Sequence, residues 1–298
     1  MYGIALVISA LVFEAFGWVL TDLVFRSFPQ AGPPEAIFWD LAVILMWAPI
    51  FLLWPKRRQA VIEILKRHWR PTVMVAVLGA IGSLMLLWAL TRISAGLVML
   101  FEKTGIFWAF LFGVMFLNEK VSKGDLISLG LGVIGLVLVS SKLPDTVGVA
   151  VLLVIAGAFC YSLGSYWVKT RIPKVDGLAF AFVRITILAV LVSLVFGIFG
   201  RIAWLPWPAI VLLVLANSSI VIGGKACYFA AHNCLPMSTI NAFALFQPVF
   251  TFVGVWLIMG DSVNGKEVCG IVILLASLLA FVLVQQSKKG ERSDVDSN

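Results

Sequence analysis

The chain has 298 residues, 61% of them hydrophobic and only 12% charged, with a mean hydropathy of +1.06 and a formal charge of +7. A soluble domain is about 45–50% apolar and about 25% charged. No water-soluble core could bury this much apolar surface, so the solvent is lipid, and a nucleic-acid partner is excluded in favour of a membrane protein whose basic residues mark its orientation.

A spanning helix needs about 20 mostly apolar residues. In chain order, ten candidates lie near 3–22, 36–54, 72–91, 94–117, 124–141, 147–168, 177–199, 208–230, 236–258 and 266–286. The first has no basic leader and carries Glu14 inside it, so it reads as a retained span rather than a cleaved signal. The breaks carry turn chemistry, such as "PQAGPPE", "NEKVSKGD", "RIPKVDG" and "MGDSVNGKE". With the N-terminus in the cytoplasm, inside segments hold 14 Lys and Arg residues, among them Lys56, Arg57, Arg58, Lys66, Arg67 and Arg70. Outside loops hold 5: Arg26, Arg92, Lys142, Arg201 and Lys266. Both termini are therefore expected in the cytoplasm of a bacterial-type plasma (inner) membrane. The polar tail 288–298 reads as disordered. The four cysteines, Cys160, Cys227, Cys234 and Cys269, show neither metal spacing nor a disulfide framework. There is no nucleophile–base motif, phosphate loop or nucleotide site, so the chain is not read as an enzyme and no cofactor is expected.

The two halves resemble each other. "SAGLVMLFEKTGIFWAFLFGVMFLNEKVSKGDLISLGLGVIGLVLV" aligns with "PMSTINAFALFQPVFTFVGVWLIMGDSVNGKEVCGIVILLASLLAFVL" at a shift of 142 residues, which pairs Glu119 with Asp261. Five helices per half is odd, so the second half must sit inverted. The fold expected is an all-α integral membrane protein of ten transmembrane helices in two inverted five-helix repeats, 1–142 and 143–287, with a site near the midplane between them.

On these features the chain resembles the EamA-type transporters of the drug/metabolite transporter superfamily. The resemblance rests on the paired halves and on the turns "LNEKVSKGD" and "MGDSVNGKEVCG", where Glu119 fits the family's acid and Asp261 is a conservative variant. Arg184 fits an arginine common early in helix 7, whereas Asp40 departs from its helix 2 counterpart. The resemblance implies a cavity lined by spans 1, 3, 4, 6, 8 and 9, and alternating-access transport of small organic metabolites, often export. "EAFG", from Glu14 to Gly17, also resembles the embedded E-x-x-G of the four-helix small multidrug resistance relatives, whose acid exchanges protons for substrate.

Six ionisable residues fall inside the spans: Glu14, Asp40, Glu102, Lys103, Arg184 and Lys225. An unpaired charge at the bilayer centre costs at least about 2.5–3.5 kcal/mol. Neighbours in a helix point about 100° apart, so Glu102 and Lys103 are each expected to need a separate partner or a wet cavity. A structural lock would pair Glu102 with Lys225 and Lys103 with Glu14. A substrate pocket would instead gather Glu14, Glu102, Lys103, Lys225, Gln247, Asn241, Tyr161, Tyr228 and Trp18, with Glu14 also coupling protons. Asp40 is expected to reach the outer interface and Arg184 to be structural. Gly130, Gly132 and Gly135 permit tight packing or a dimer contact.

The leading function is secondary transport of a small polar or zwitterionic, amino-acid-like metabolite, in the direction of export and with proton coupling open. The alternatives are a proton/organic-cation antiporter and a lipid flippase. The partners expected are a small-molecule substrate, protons and the bilayer, for a monomer or weak homodimer.

Overall fold

The computed structural model describes residues 2–117, 123–140, 145–172, 176–200, 202–232, 243–261 and 265–295. They are helical, with no strand among the described residues. Seven helices are long and apolar enough to cross a membrane: Tyr2–Ser27, Pro33–Leu53, Trp69–Leu90, Ala95–Phe116, Gly148–Val168, Gly177–Ile198 and Trp207–Gly224. Shorter apolar helices run through Leu126–Gly135, Gln247–Met259 and Val268–Ala280.

In chain order the elements are α1 (Tyr2–Ser27), α2 (Pro33–Phe38), α3 (Asp40–Leu53), α4 (Pro55–Arg67), α5 (Trp69–Leu90), α6 (Ala95–Glu102), α7 (Gly105–Leu117), α8 (Lys123–Ser140), α9 (Asp145–Arg171), α10 (Gly177–Ile198), α11 (Trp207–Ser218), a π-helical turn Ser219–Gly224, α12 (Lys225–His232), α13 (Gln247–Met259) and α14 (Gly265–Val295). The expected span 36–54 starts earlier, because Pro33 and Pro34 occupy a helical first turn where no backbone donor is needed. The "KRRQ" segment, read from sequence as a loop, is the amphipathic helix α4. Its Val61 and Ile64 are buried, while its basic residues face outward between exposed Trp54 and Trp69. The last helix runs to Val295, where composition predicts disorder from Lys288. Its Lys, Glu, Gln and Arg residues are good helix formers, and an existing helix extends without a new nucleus.

The elements repeat at the shift seen in the sequence. Gly105–Leu117 and Gln247–Met259 begin and end 142 residues apart, and α8 and α14 also begin 142 residues apart. A turn interrupts the helix just before each copy, at Lys103–Thr104 and at Leu245–Phe246.

The closest-packed helix pairs join one half to the other. α5 packs on α9, α8 on α14, α10 on α5 and on α2, and α1 on α11, α12 and α13. Gly132 and Gly135 serve the α8–α14 pair: a Cβ at Gly135 would meet the Leu274 backbone nitrogen at 2.7 Å, and one at Gly132 would meet Ser277 at 3.0 Å. These two glycines pack within the chain, which realises the tight packing expected of them. The largest buried cluster runs through α1, α5, α6, α9, α10, α11 and α14 around Phe101, Leu86, Leu213 and Leu274.

One end of the bundle is tied by polar contacts. Asp22, fully buried near the end of α1, accepts from Arg26 at 2.7 Å and from the Ala95 backbone N–H at 2.8 Å. Arg26 also donates to Asp261 at 2.7 Å, linking α1 to the turn after α13. Glu35 accepts from the Ala203 N–H at 2.7 Å, and Asn217 donates to the Ala36 carbonyl at 2.9 Å.

Candidate functional site

Between the halves lies a cavity of about 500 Å³. Its walls come from α1, α2, α3, α5, α6, α9, α10, α11, the π turn, α12 and the start of α13. Spans 2 and 7 therefore line it as well as the six spans the resemblance implied.

α1 brings Glu14, Trp18 and Thr21 to the wall, at the i, i+4, i+7 spacing of one helical face. Gly17, next to this face, lets α1 approach the second half. A Cβ there would sit 2.6 Å from the Ala216 carbonyl oxygen. Opposite it, the π turn ends at Gly224, where a Cβ would meet Glu14 Cγ at 2.5 Å. This backbone proximity lets Lys225 Nζ donate to Glu14 Oε1 at 2.7 Å. The Lys225 ammonium also lies over the Tyr228 ring, 5.7 Å from its centroid.

The other carboxylate oxygen of Glu14 accepts from Gln247 Nε2 at 3.2 Å. Gln247 Oε1 in turn accepts from Lys103 Nζ at 2.8 Å, and Lys103 pairs with Glu102 at 2.8 Å. A continuous polar chain thus runs Lys225, Glu14, Gln247, Lys103, Glu102 across the wall. Its two ends bear opposite charges, and the whole is neutral. Glu14 and Lys103 are each 13% exposed and Gln247 is buried, so most of the chain is shielded from solvent and its charges are satisfied by one another.

Two expectations are corrected here. Glu102 and Lys103 do pair directly, because the helix stops between them: Lys103 and Thr104 form a turn, with backbone bonds from Lys103 to Leu100 and from Thr104 to Phe101. The expected 100° separation applies only within an unbroken helix. The structural lock proposed from sequence, Glu102 with Lys225 and Lys103 with Glu14, is replaced by Glu14 with Lys225 and Glu102 with Lys103.

Trp18, Tyr161 and Tyr228 also line the cavity, with Tyr161 hydrogen-bonded to Ser83 at 2.7 Å. Asn241 lies outside the described residues, as does Glu119. Eight of the nine sequence-expected pocket residues therefore share one cavity wall.

A family model described as the EamA-like transporter family matches residues 1–141 and 148–283. The chain belongs to the EamA-like transporter family. That family lies within the drug/metabolite transporter superfamily, whose members are membrane transporters rather than enzymes. No curated protein sequence matches. One solved structure, described only as a crystal structure of a protein, is 14% identical, covers 93% of this chain and 97% of its own, and superposes with a TM-score of 0.62. At that identity the likeness shows a shared fold and nothing more.

The cavity of this EamA-family chain also holds residues that sequence reasoning set aside. Asp40 lines the wall instead of reaching an outer interface, and Arg184 lines it too. The signal for Asp40 was present in its spacing with Val43, Ile44 and Trp47, all on the same wall. Ser83, Met99 and Asn217 also contribute, and nothing in their local sequence distinguishes them from ordinary packing residues.

Proposed function

We propose that this EamA-family protein is a ten-span secondary transporter, built as two inverted five-helix halves, that exports a small zwitterionic, amino-acid-like metabolite by alternating access. Both termini face the cytoplasm of a bacterial inner membrane in this reading, as the loop charges favour. The two segments matched by the family model, together with helix boundaries that recur 142 residues apart, support the duplication. The observation that carries the transport reading is the polar chain from Lys225 to Glu102 on the wall of a cavity between lipid-embedded helices. Ionisable groups are expensive within a membrane and mark substrate or ion pathways. A wall bearing both signs suits a substrate that bears both.

Glu14 is the proton-coupling group in this proposal. When it is charged, Lys225 and Gln247 hold it. When it is protonated, its grip on Lys225 weakens, which loosens α1 from α12. The two states differ in charge and in helix contacts, as alternating access requires.

The test is flux in liposomes reconstituted with the purified protein. An imposed pH gradient should drive uptake or counterflow of amino-acid-like substrates, and Glu14→Gln should abolish the response to the gradient. Flux indifferent to both would sink the coupling. A second reading, antiport of organic cations, is favoured by the acid and aromatics at Glu14, Trp18, Tyr161 and Tyr228. Preferential flux of quaternary ammonium compounds in the same assay would establish it.

A further inference from the structure

The ionisable groups of the cavity wall divide into two sets. Glu14, Lys225, Lys103 and Glu102 each have a charged partner at 2.7 or 2.8 Å. Asp40 and Arg184 make no ion pair or side-chain hydrogen bond among the described residues, although both line the same cavity. We propose that Arg184 and Asp40 are the two poles of the substrate subsite, Arg184 receiving a carboxylate and Asp40 an ammonium group, with the paired set holding the helices around them.

This inference rests on the transport reading above and adds where the substrate sits. Unpartnered charges inside a membrane protein are costly, and a ligand carrying the complementary charges offsets that cost. The guanidinium lies against α5 at Gly79, where an added Cβ would stand 3.8 Å from Arg184 Cζ, and Arg184 lines the cavity. Planar and bidentate, a guanidinium matches a carboxylate. Trp47, on the same face of α3 as Asp40 and 7% exposed, has an indole nitrogen without a hydrogen-bond partner among the described residues. Tyr161, hydrogen-bonded to Ser83, lines the same cavity.

The separation of the poles selects among zwitterions. α3 meets α10 at the Phe51–Phe182 stack, and the next helix, α4, meets the start of α10 at the Arg57–Asp176 ion pair, so this stretch of chain runs antiparallel to α10. From the helical rise, the Asp40 and Arg184 backbones stand roughly 13 Å apart along the bundle. Backbones that far apart suit a ligand with well-separated charges better than the adjacent charges of an α-amino acid. The subsite therefore fits an ω-amino acid, whose charges stand apart along an alkyl chain.

Binding to the purified full-length protein in detergent, read by calorimetry, tests this. The probes are glycine, β-alanine, 4-aminobutanoate and 6-aminohexanoate, and for the longest also its methyl ester and its N-acetyl derivative. Affinity should rise with chain length. Arg184→Gln should weaken 6-aminohexanoate at least tenfold while leaving the ester, which has no anion, unchanged. Asp40→Asn should weaken it similarly while leaving the N-acetyl derivative, which has no cation, unchanged. Probe-specific losses of this kind are not what misfolding produces. Wild-type binding that both variants retain, or losses that ignore probe charge, would overturn the subsite alone. Wild type that binds none of the zwitterions would overturn both the subsite and the zwitterion reading beneath it.

Discussion

Lys225 meets Glu14 at 2.7 Å from the first position after a π-helical turn, Ser219–Gly224. A π turn inserts a residue into the helical register, and one residue of an α-helix is about 100° of rotation. The turn therefore decides which way Lys225 points, and π insertions concentrate at functional sites. Removing either charge leaves the other with a poorer partner. Lys225→Met should destabilise the protein by about 1–3 kcal/mol, less than the about 3–5 kcal/mol of a fully buried pair, because Lys225 is 39% exposed. The double variant Glu14→Gln/Lys225→Met should lose less than the sum of the singles in thermal unfolding in detergent. Strict additivity would mean the pair contributes no coupling.

Gly17 is one of the points where α1 closely approaches the second half. Gly17→Leu drives a side chain into the Ala216 carbonyl and Ile220. Overpacking of this kind costs about 1–3 kcal/mol. We expect a lower unfolding temperature together with lost flux, whereas Phe16→Leu on the exposed side of the same helix should change neither. Equal effects at the two positions would contradict the packing described.

Gln247 bridges the two ion pairs. Gln247→Ala removes hydrogen bonds worth about 1 kcal/mol each, so the protein should still fold. Flux should fall at least tenfold, because Glu14 and Lys103 lose the amide that joins them. Full activity in liposomes would show that the chain works as two independent pairs.

Arg26 clasps two acids of very different burial. Asp22 is fully buried and Asp261 is 43% exposed. Arg26→Leu strands Asp22, which keeps only the Ala95 N–H, and should cost about 1–3 kcal/mol, because Arg26 is 40% exposed. Asp261→Asn cuts only the exposed contact and should cost under about 1 kcal/mol. Chemical unfolding of both variants should separate them, and similar losses would refute the division of labour.

Much of this architecture was legible before any coordinates. Hydropathy and turn chemistry locate most of the spans, and the 142-residue shift matches the spacing of the helices that begin at Gly105 and Gln247. The depth of charged residues also finds the cavity, because lipid leaves a buried charge few other destinations. What could not be read is orientation around the helix axis. Glu102 and Lys103 look incompatible under an ideal helix, and only the local stop at Lys103–Thr104 lets them meet. Lys225 is aimed by a π turn that no residue in "SIVIGG" announces. Asp40 was misplaced for a related reason: counting residues from the end of a span gives its depth, but not whether it faces lipid or the interior. Helix α4 was missed because its charge masked the buried Val61 and Ile64.

The interleaving of the halves bears on how the molecule is made. Its strongest helix contacts, α5 with α9 and α8 with α14, join segments far apart in the chain. A ribosome adding about 5–20 residues per second completes the first 140 residues roughly 8–30 s before the last of their partners, α14, has been made. For part or all of that interval Gly17 and Gly135 wait in the bilayer without the surfaces they fit. Nascent molecules are thus committed to a long unpaired stage, and a stop codon near the midpoint would leave a fragment with almost nothing of its own to pack against.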